Sequence, residues 1–293
     1  MRRVGLLLLV LAAAGCAGED EPELELVPGS RVAIGIVSGE RLVYEGARVE
    51  ANRINNAGGI GGAATVTLVQ GSAQELLGAG IRLLVLPCRK GLVAAAKLAE
   101  ARRAVAVAPC DDGVLNPRWR RIVTTSLSPQ VQANALTERL DGRAARVLAP
   151  LTRRGNRVRR LLELERAGSS VVSPDAPERV TPRPDAPEGT LWATYGFPDP
   201  GNRTDEFYER FKAVYGRRPE SIVAALASDA LTVLADAIEL AGAPQPGLVV
   251  EAVREGFETG GVLGDIEYEG ETIRPRVDAV IVQLIDGRLR TAD

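Results

Sequence analysis

Arg31-Val-Ala-Ile-Gly-Ile-Val-Ser38 is β-rich and continuous enough in apolar residues for a buried parallel strand. Leu42 to Asn56 follows, with Val43, Ala47, Ala51 and Ile54 at helical spacing, and Gly58-Gly59 stops it. Ala64 to Val69 then reads as a second strand. A strand, an amphipathic helix, a glycine turn and another strand form the repeating unit of a parallel α/β sheet. The unit recurs. Ala73 to Leu77 predicts a short helix, Ile81 to Leu86 a third strand, Leu92 to Ala101 an Ala-rich helix and Ala104 to Ala108 a fourth strand.

Past Arg121-Ile-Val-Thr-Thr125 the rhythm resumes. Ser128 is a good N-cap with Pro129 at the first helical position, and the helix runs to Leu140. Arg146 to Pro150 predicts a strand, Asn156 to Ala167 a basic helix and Ser169 to Val172 a short strand. Pro174, Pro177, Pro182, Pro184 and Pro187 then break the pattern, as a loop or crossing linker does. Gly189 to Tyr195 predicts a strand, and Thr204 to Tyr215, Pro219 to Ala241 and Leu248 to Phe257 predict helices. Gly264 to Tyr268, Val277 to Leu284 and Leu289 to Thr291 close the chain as strands, with a hairpin at Asp286-Gly287.

The start of the chain has another character. Arg2 and Arg3 precede an uncharged apolar run, Val4 to Gly15, that ends in Ala13-Ala14-Gly15 directly before Cys16. This is the layout of an export signal, and the run is short of the roughly 20 apolar residues of a membrane span. The cysteine after small residues resembles the lipobox of bacterial lipoproteins, although Ala13 stands where leucine is favoured. The expectation is cleavage before Cys16 and lipidation of it; the alternative is an ordinary signal peptide with a chance cysteine. Ala17 to Ser30 is acidic and aperiodic and reads as a solvated tether.

Composition narrows the function. Of 293 residues, 36 are basic and 38 acidic, and loss of Arg2 and Arg3 leaves 34 basic residues, a mild excess of acid. A nucleic-acid partner is not expected of such a chain. There is no histidine, which excludes Ser-His-Asp and Cys-His chemistry and histidine metal sites. Neither a nucleophile elbow nor a phosphate-binding loop is found. Gly59-Ile60-Gly61-Gly62 follows a helix where a dinucleotide loop follows a strand. No cofactor and no metal are therefore expected. Cys88 and Cys110 are an even pair in an oxidising compartment, either bridged or two buried thiols.

Glu45-Gly-Ala-Arg-Val-Glu-Ala-Asn-Arg-Ile-Asn-Asn-Ala-Gly-Gly-Ile-Gly-Gly62 resembles the first helix and glycine turn of the leucine/isoleucine/valine-binding protein family, type I periplasmic solute-binding proteins of ABC importers. Similar segments follow in order. Leu86-Pro-Cys-Arg-Lys-Gly91 and Ala108-Pro-Cys-Asp-Asp112 stand where the first lobe's ligand loops belong. Val123-Thr-Thr-Ser-Leu-Ser-Pro129 resembles the first crossover, and Glu188-Gly-Thr-Leu191 leads into the second. Tyr215-Gly-Arg-Arg-Pro219, Ala227-Ser-Asp-Ala230, Thr259-Gly-Gly-Val-Leu-Gly264 and Val280-Ile-Val-Gln-Leu-Ile-Asp-Gly287 match the later elements. No single motif is specific; their ordered run along nearly all of the mature chain is.

The resemblance implies two Rossmann-like lobes with parallel sheets joined by crossover strands, and ligand in the cleft. Residues 1–15 are expected as signal peptide, 16–30 as lipidated cysteine and tether, 31–124 with 197–264 as lobe I, and 125–196 with 265–293 as a reduced lobe II. The family's small hydroxyl residues after the third and fourth strands, which hold a ligand carboxylate, are replaced by Arg89 or Lys90 and by Asp111 or Asp112. A strand-helix-strand stretch that supplies the acid for an amino acid's ammonium is missing between Val172 and Glu188. Amino-acid binding of the usual kind is therefore not implied.

The candidate contacts each have a plain counterpart. Arg89 and Lys90 meet an anion or are solvated; Asp111 and Asp112 meet ligand or form a turn. Cys110 lies in the same loop. Tyr44 and Tyr195 wall the cleft or pack; Thr125 and Ser126 meet ligand or satisfy backbone. Asp229, inside an apolar helix, reads as structural. The leading expectation is a lipid-anchored solute-binding protein on the extracytoplasmic face of a bacterial envelope, serving ABC permease subunits with a small amino-acid-like or anionic solute. The alternative is a degenerate binding-protein fold acting as an envelope sensor or scaffold. An enzyme is not expected.

Overall fold

The computed structural model describes residues 25–37, 39–111, 113–162, 170–175, 184–270 and 274–292. Cys16, the apolar segment before it and Asp112 lie outside the described residues. The first sheet holds β1 (Arg31–Val37), β2 (Thr65–Gly71), β3 (Leu83–Val85), β4 (Val105–Ala108) and β5 (Ile122–Thr124). Their order is β2-β1-β3-β4-β5 and every pairing is parallel. Helices α1 (Arg41–Asn56), α2 (Ala73–Gly78) and α3 (Leu92–Ala101) connect them.

The α1 segment shows why the sequence folds this way. Its apolar face buries Val43, Ala47, Ala51 and Ile54. Gly46 is a contact position: a Cβ there would stand 2.0 Å from the Ala224 carbonyl oxygen, so only glycine lets α1 approach α7 (Val223–Ala241) this closely. Past the helix end, Gly59 at φ +90° donates its N–H to the Ile54 carbonyl at 2.9 Å. The Asn55 amide then pins β2 by accepting from Val66 N at 2.7 Å and donating to Val66 O at 2.9 Å.

The chain leaves the first sheet after β5 and builds a second from β6 (Ala145–Val147), β7 (Ser170–Val172), β8 (Leu191–Thr194), β11 (Val280–Ile285) and β12 (Arg288–Thr291). Its order is β12-β11-β8-β7-β6, with β6, β7 and β8 parallel and β11 antiparallel to both neighbours. Helices α4 (Pro129–Leu140) and α5 (Arg153–Leu161) belong to this half. Among the described residues the second sheet thus has three parallel strands where the first has five.

Between β8 and β11 the chain returns to the first lobe. There α6 (Arg203–Tyr215) and α7 cover α1, and α8 (Pro246–Arg254) precedes an antiparallel pair, β9 (Phe257–Gly260) and β10 (Asp265–Tyr268). Two expectations are corrected here. The helix expected to reach Phe257 ends at Arg254, because Gly256 turns the chain at φ +109° and Phe257 to Gly260 alternate buried and exposed as strand β9. Residues expected to open the second lobe at position 265 stay with the first: Ile266 and Tyr268 lie in its core, and Tyr268 OH donates to the Thr124 carbonyl at 2.9 Å. Their strand is covered by the first core's apolar surface, which the local pattern does not distinguish from the second's. Among the described residues no helix is long and apolar enough to cross a membrane.

Candidate functional site

The carboxyl ends of parallel strands, with the loops that follow them, face the gap between the sheets, the usual place for ligands in open α/β folds. The loops after β3 and β4 are tied together: Cys88 and Cys110 form a disulfide with Cα atoms 4.8 Å apart. Asp111, next to this bridge, is only 2% exposed. Its Oδ1 accepts from the backbone N–H of Val114 and Leu115, and its Oδ2 from Arg274 Nε at 3.2 Å and Nη2 at 2.9 Å. Burying a carboxylate requires such partners, and here a turn and a guanidinium supply them. Asp111 thus stands in a turn and in an ion pair with Arg274.

Across the gap, α5 sends in Arg154, 4% exposed. Thr152 caps this helix through its hydroxyl, and Asp175 holds Leu151 and Thr152 in place by accepting their N–H groups. Arg154 Nε donates to Gln132 Oε1 at 2.9 Å, Nη1 to the Asp111 carbonyl at 3.0 Å, and Nη2 to the Leu127 carbonyl. Its guanidinium lies 4.8 Å from the centroid of the Tyr195 ring, a stacking contact. One side chain of the second lobe therefore joins a first-lobe loop, the first crossover and the second crossover.

Beside this floor lies a cavity of about 570 Å³, lined by Gly113 after β4, by Ser128, Pro129 and Gln130 at the start of α4, by Arg157, Arg160 and Leu161 of α5, and by Arg274 of the last crossover. Among the described residues no carboxylate lines it. A second cavity, about 430 Å³, lies at the start of α1.

The expected contact residues are divided among these places. Tyr195 and Asp111 meet at Arg154, and Cys110 adjoins them. Arg89 and Lys90 are exposed and line the second cavity with Glu40 and Glu220, and Arg89 N–H donates to Glu40 Oε1 at 2.7 Å. Tyr44 packs against the first core. Ser126 pairs its hydroxyl with that of Thr124 at 3.0 Å. Buried Thr125 Oγ1 has no hydrogen-bond partner among the described residues; nor have Ser173 Oγ and Thr194 Oγ1 past β7 and within β8. Arg154, Gln132, Arg157, Arg160 and Arg274 were not expected as site residues. The basic helix expected over Asn156 to Ala167 included Arg157 and Arg160, but α5 begins at Arg153, so Arg154 lay outside that expectation, and where these side chains meet depends on how α5 packs. Arg274 carried no signal at all.

No protein-family model and no curated protein matches the sequence. Solved structures do. An ABC transporter substrate-binding protein from Desulfitobacterium hafniense aligns over 90% of this chain and 99% of its own, at 19% identity and a TM-score of 0.70. A putative branched-chain amino acid ABC transporter protein from Rhodospirillum rubrum gives 0.71 at 16% identity over 90% and 99%. A solute-binding protein from Rhodopseudomonas palustris, in complex with 3,4-dihydroxy benzoic acid, gives 0.68 at 12% identity over 89% and 94%. At such identities the likeness establishes fold. The chain has the type I periplasmic-binding-protein fold, the one the sequence resemblance implied.

Proposed function

We propose that this chain is an extracytoplasmic solute-binding protein that captures a small amino-acid-like or anionic solute between its lobes and delivers it to the permease subunits of an ABC importer. The observation that carries the reading is the cavity lined by the loop after β4, by α4 and α5 and by the last crossover, in the region where such folds take ligands. Solved proteins of this fold include complexes with leucine and with aromatic acids, which fits a role in binding without covalent chemistry. Lobe closure around the solute is hinge motion at the crossovers. A thermal-shift screen of amino acids, carboxylates and amides tests the reading, since a ligand of the folded state raises its melting temperature. No shift with any compound, and no solute-dependent compaction in small-angle scattering, would remove it.

The tether and Cys16 belong to the same proposal: cleavage before Cys16 and acylation of it hold the domain at the membrane. Intact-mass analysis of membrane-extracted protein is expected to find an acylated N-terminal Cys16. Cleaved soluble protein beginning at another residue would refute the anchor.

A second reading, a sensor or scaffold that no longer transports, has its own support. The cleft floor is satisfied by the chain's own groups, Arg154 with Gln132, Asp111 and Leu127, and Asp111 with Arg274. Failure of every solute, with retained binding to an envelope partner, favours it.

A further inference from the structure

We infer that the solute taken between the lobes is a small dianion, carrying two carboxylates or a phosphate, and that Arg157 and Arg160 are its charge partners; this rests on the solute-binding reading. Two elements, α5 and the last crossover, bring guanidiniums to the cavity, and none of the described lining residues is an acid. Arg274 is already matched by Asp111. Arg157 and Arg160 form no ion pair with any described residue, and they stand three apart on one face of α5. Two uncompensated guanidiniums suit two negative charges, and each guanidinium fits a carboxylate or phosphate by paired N–H donors.

The surroundings agree. Gly113 makes room for Arg157: a Cβ there would lie 2.4 Å from Nη1, so the side chain reaches from α5 to the first lobe's loop. The start of α4 adds partial positive charge. Pro129 has no N–H, Ser128 Oγ takes that of Val131 and the Ser128 carbonyl takes that of Gln132. Gln130 N–H is the first-turn donor left for a ligand. Leu161 and Pro129 offer apolar contact to a short carbon chain. The volume is that of a small-molecule site. Among the described lining residues no carboxylate stands ready for the ammonium of a zwitterion.

Calorimetry on the mature chain decides this, at about 0.15 M salt so that distant charges are screened. Succinate and inorganic phosphate are the dianion probes; butyrate and leucine are the comparisons. Either dianion is expected to bind at least tenfold tighter than butyrate and leucine, and the tighter of the two identifies the source of the charge. Arg157→Gln with Arg160→Gln is expected to abolish that preference at an unchanged ligand-free melting temperature. Arg159→Gln, which does not line the cavity, is expected to leave it intact. Leucine or butyrate bound as tightly as succinate and phosphate would overturn the dianion while sparing the solute-binding reading. Retained dianion affinity in the double variant would overturn the assignment of these arginines. No binding by any probe, with no compaction in scattering, would overturn both readings.

Discussion

Asp111 and Asp229 are both buried carboxylates, yet their environments treat charge differently. Asp111 has a guanidinium and two backbone donors, so its charge is met. Asp111→Ala removes the carboxylate that meets Arg274 and accepts from the N–H groups of Val114 and Leu115. The expected loss is about 2–4 kcal/mol, between the cost of an unpaired buried donor and that of a broken buried ion pair, because Arg274 keeps some solvent. Urea unfolding checks it, and a loss under about 0.5 kcal/mol, the range of ordinary surface substitutions, would show the pair to be incidental. Asp229 accepts from Val262 and Leu263 N–H and forms no ion pair with any described residue, and burial pushes its carboxyl up to about 8, with nearby Glu50 adding to the rise. The unfolded chain releases this proton near the ordinary value of 3.8, whereas the folded chain holds it until about pH 8. Stability contributed by the neutral form is therefore full below the unfolded value, falls as pH rises through this window, and is lost above it. Asp229→Asn is expected to flatten that fall. Denaturation midpoints of both proteins at several pH values would expose an unchanged slope, and with it an error in this assignment.

At the scale of elements, the sequence was most legible where one local pattern sufficed. α1 combines helical spacing, a glycine stop and an asparagine that pins the next strand, and these agree. The strand-helix alternation of the first sheet was readable because its strands β3, β4 and β5 are buried on both faces and so carry continuous apolar runs. β9 was missed because Phe257 continues the apolar spacing of α8, and only Gly256 marks the break. The site was less legible for a different reason. Which residues meet across the gap is fixed by the packing of α5 and the last crossover, and Arg154 and Arg274 are separated from their partners by long stretches of chain. The cysteines were an exception, since each follows a proline at a strand end, and adjacent strands β3 and β4 bring those ends together. Closing this loop is expected to contribute about 3 kcal/mol by restricting the unfolded chain. Cys88→Ala with Cys110→Ala should lower the denaturation midpoint accordingly. Thiol titration of unfolded, unreduced protein is expected to find neither cysteine free, and two reactive thiols would exclude the bridge.

For the whole molecule the question is how the two lobes are held when no solute is present. Arg154 is anchored in the second lobe by α5 and donates to a carbonyl of the first lobe and to one of the first crossover. Its ring partner Tyr195 lies on the second crossover. The side chain thus bridges the two lobes: its bond to Gln132 of α4 stays within the second lobe, whereas its bond to the Asp111 carbonyl exists only while the lobes stay close. Arg154→Met keeps much of the apolar volume but removes every donor. The carbonyls of Asp111 and Leu127 and the amide oxygen of Gln132 then regain partners only by opening to water. The closed arrangement should lose at least about 1.4 kcal/mol, which raises the open population about tenfold. Small-angle scattering of the ligand-free variant is expected to show a larger radius of gyration than the parent. Under the solute-binding reading the same shift weakens apparent affinity in proportion to the closed fraction lost, although Arg154 does not line the cavity. A cross-link between the lobes, placed away from the cavity, should then restore affinity to the Arg154→Met protein. Unchanged scattering and unchanged affinity in that variant would mean that Arg154 only fills space, and that the crossovers alone set the angle between the lobes.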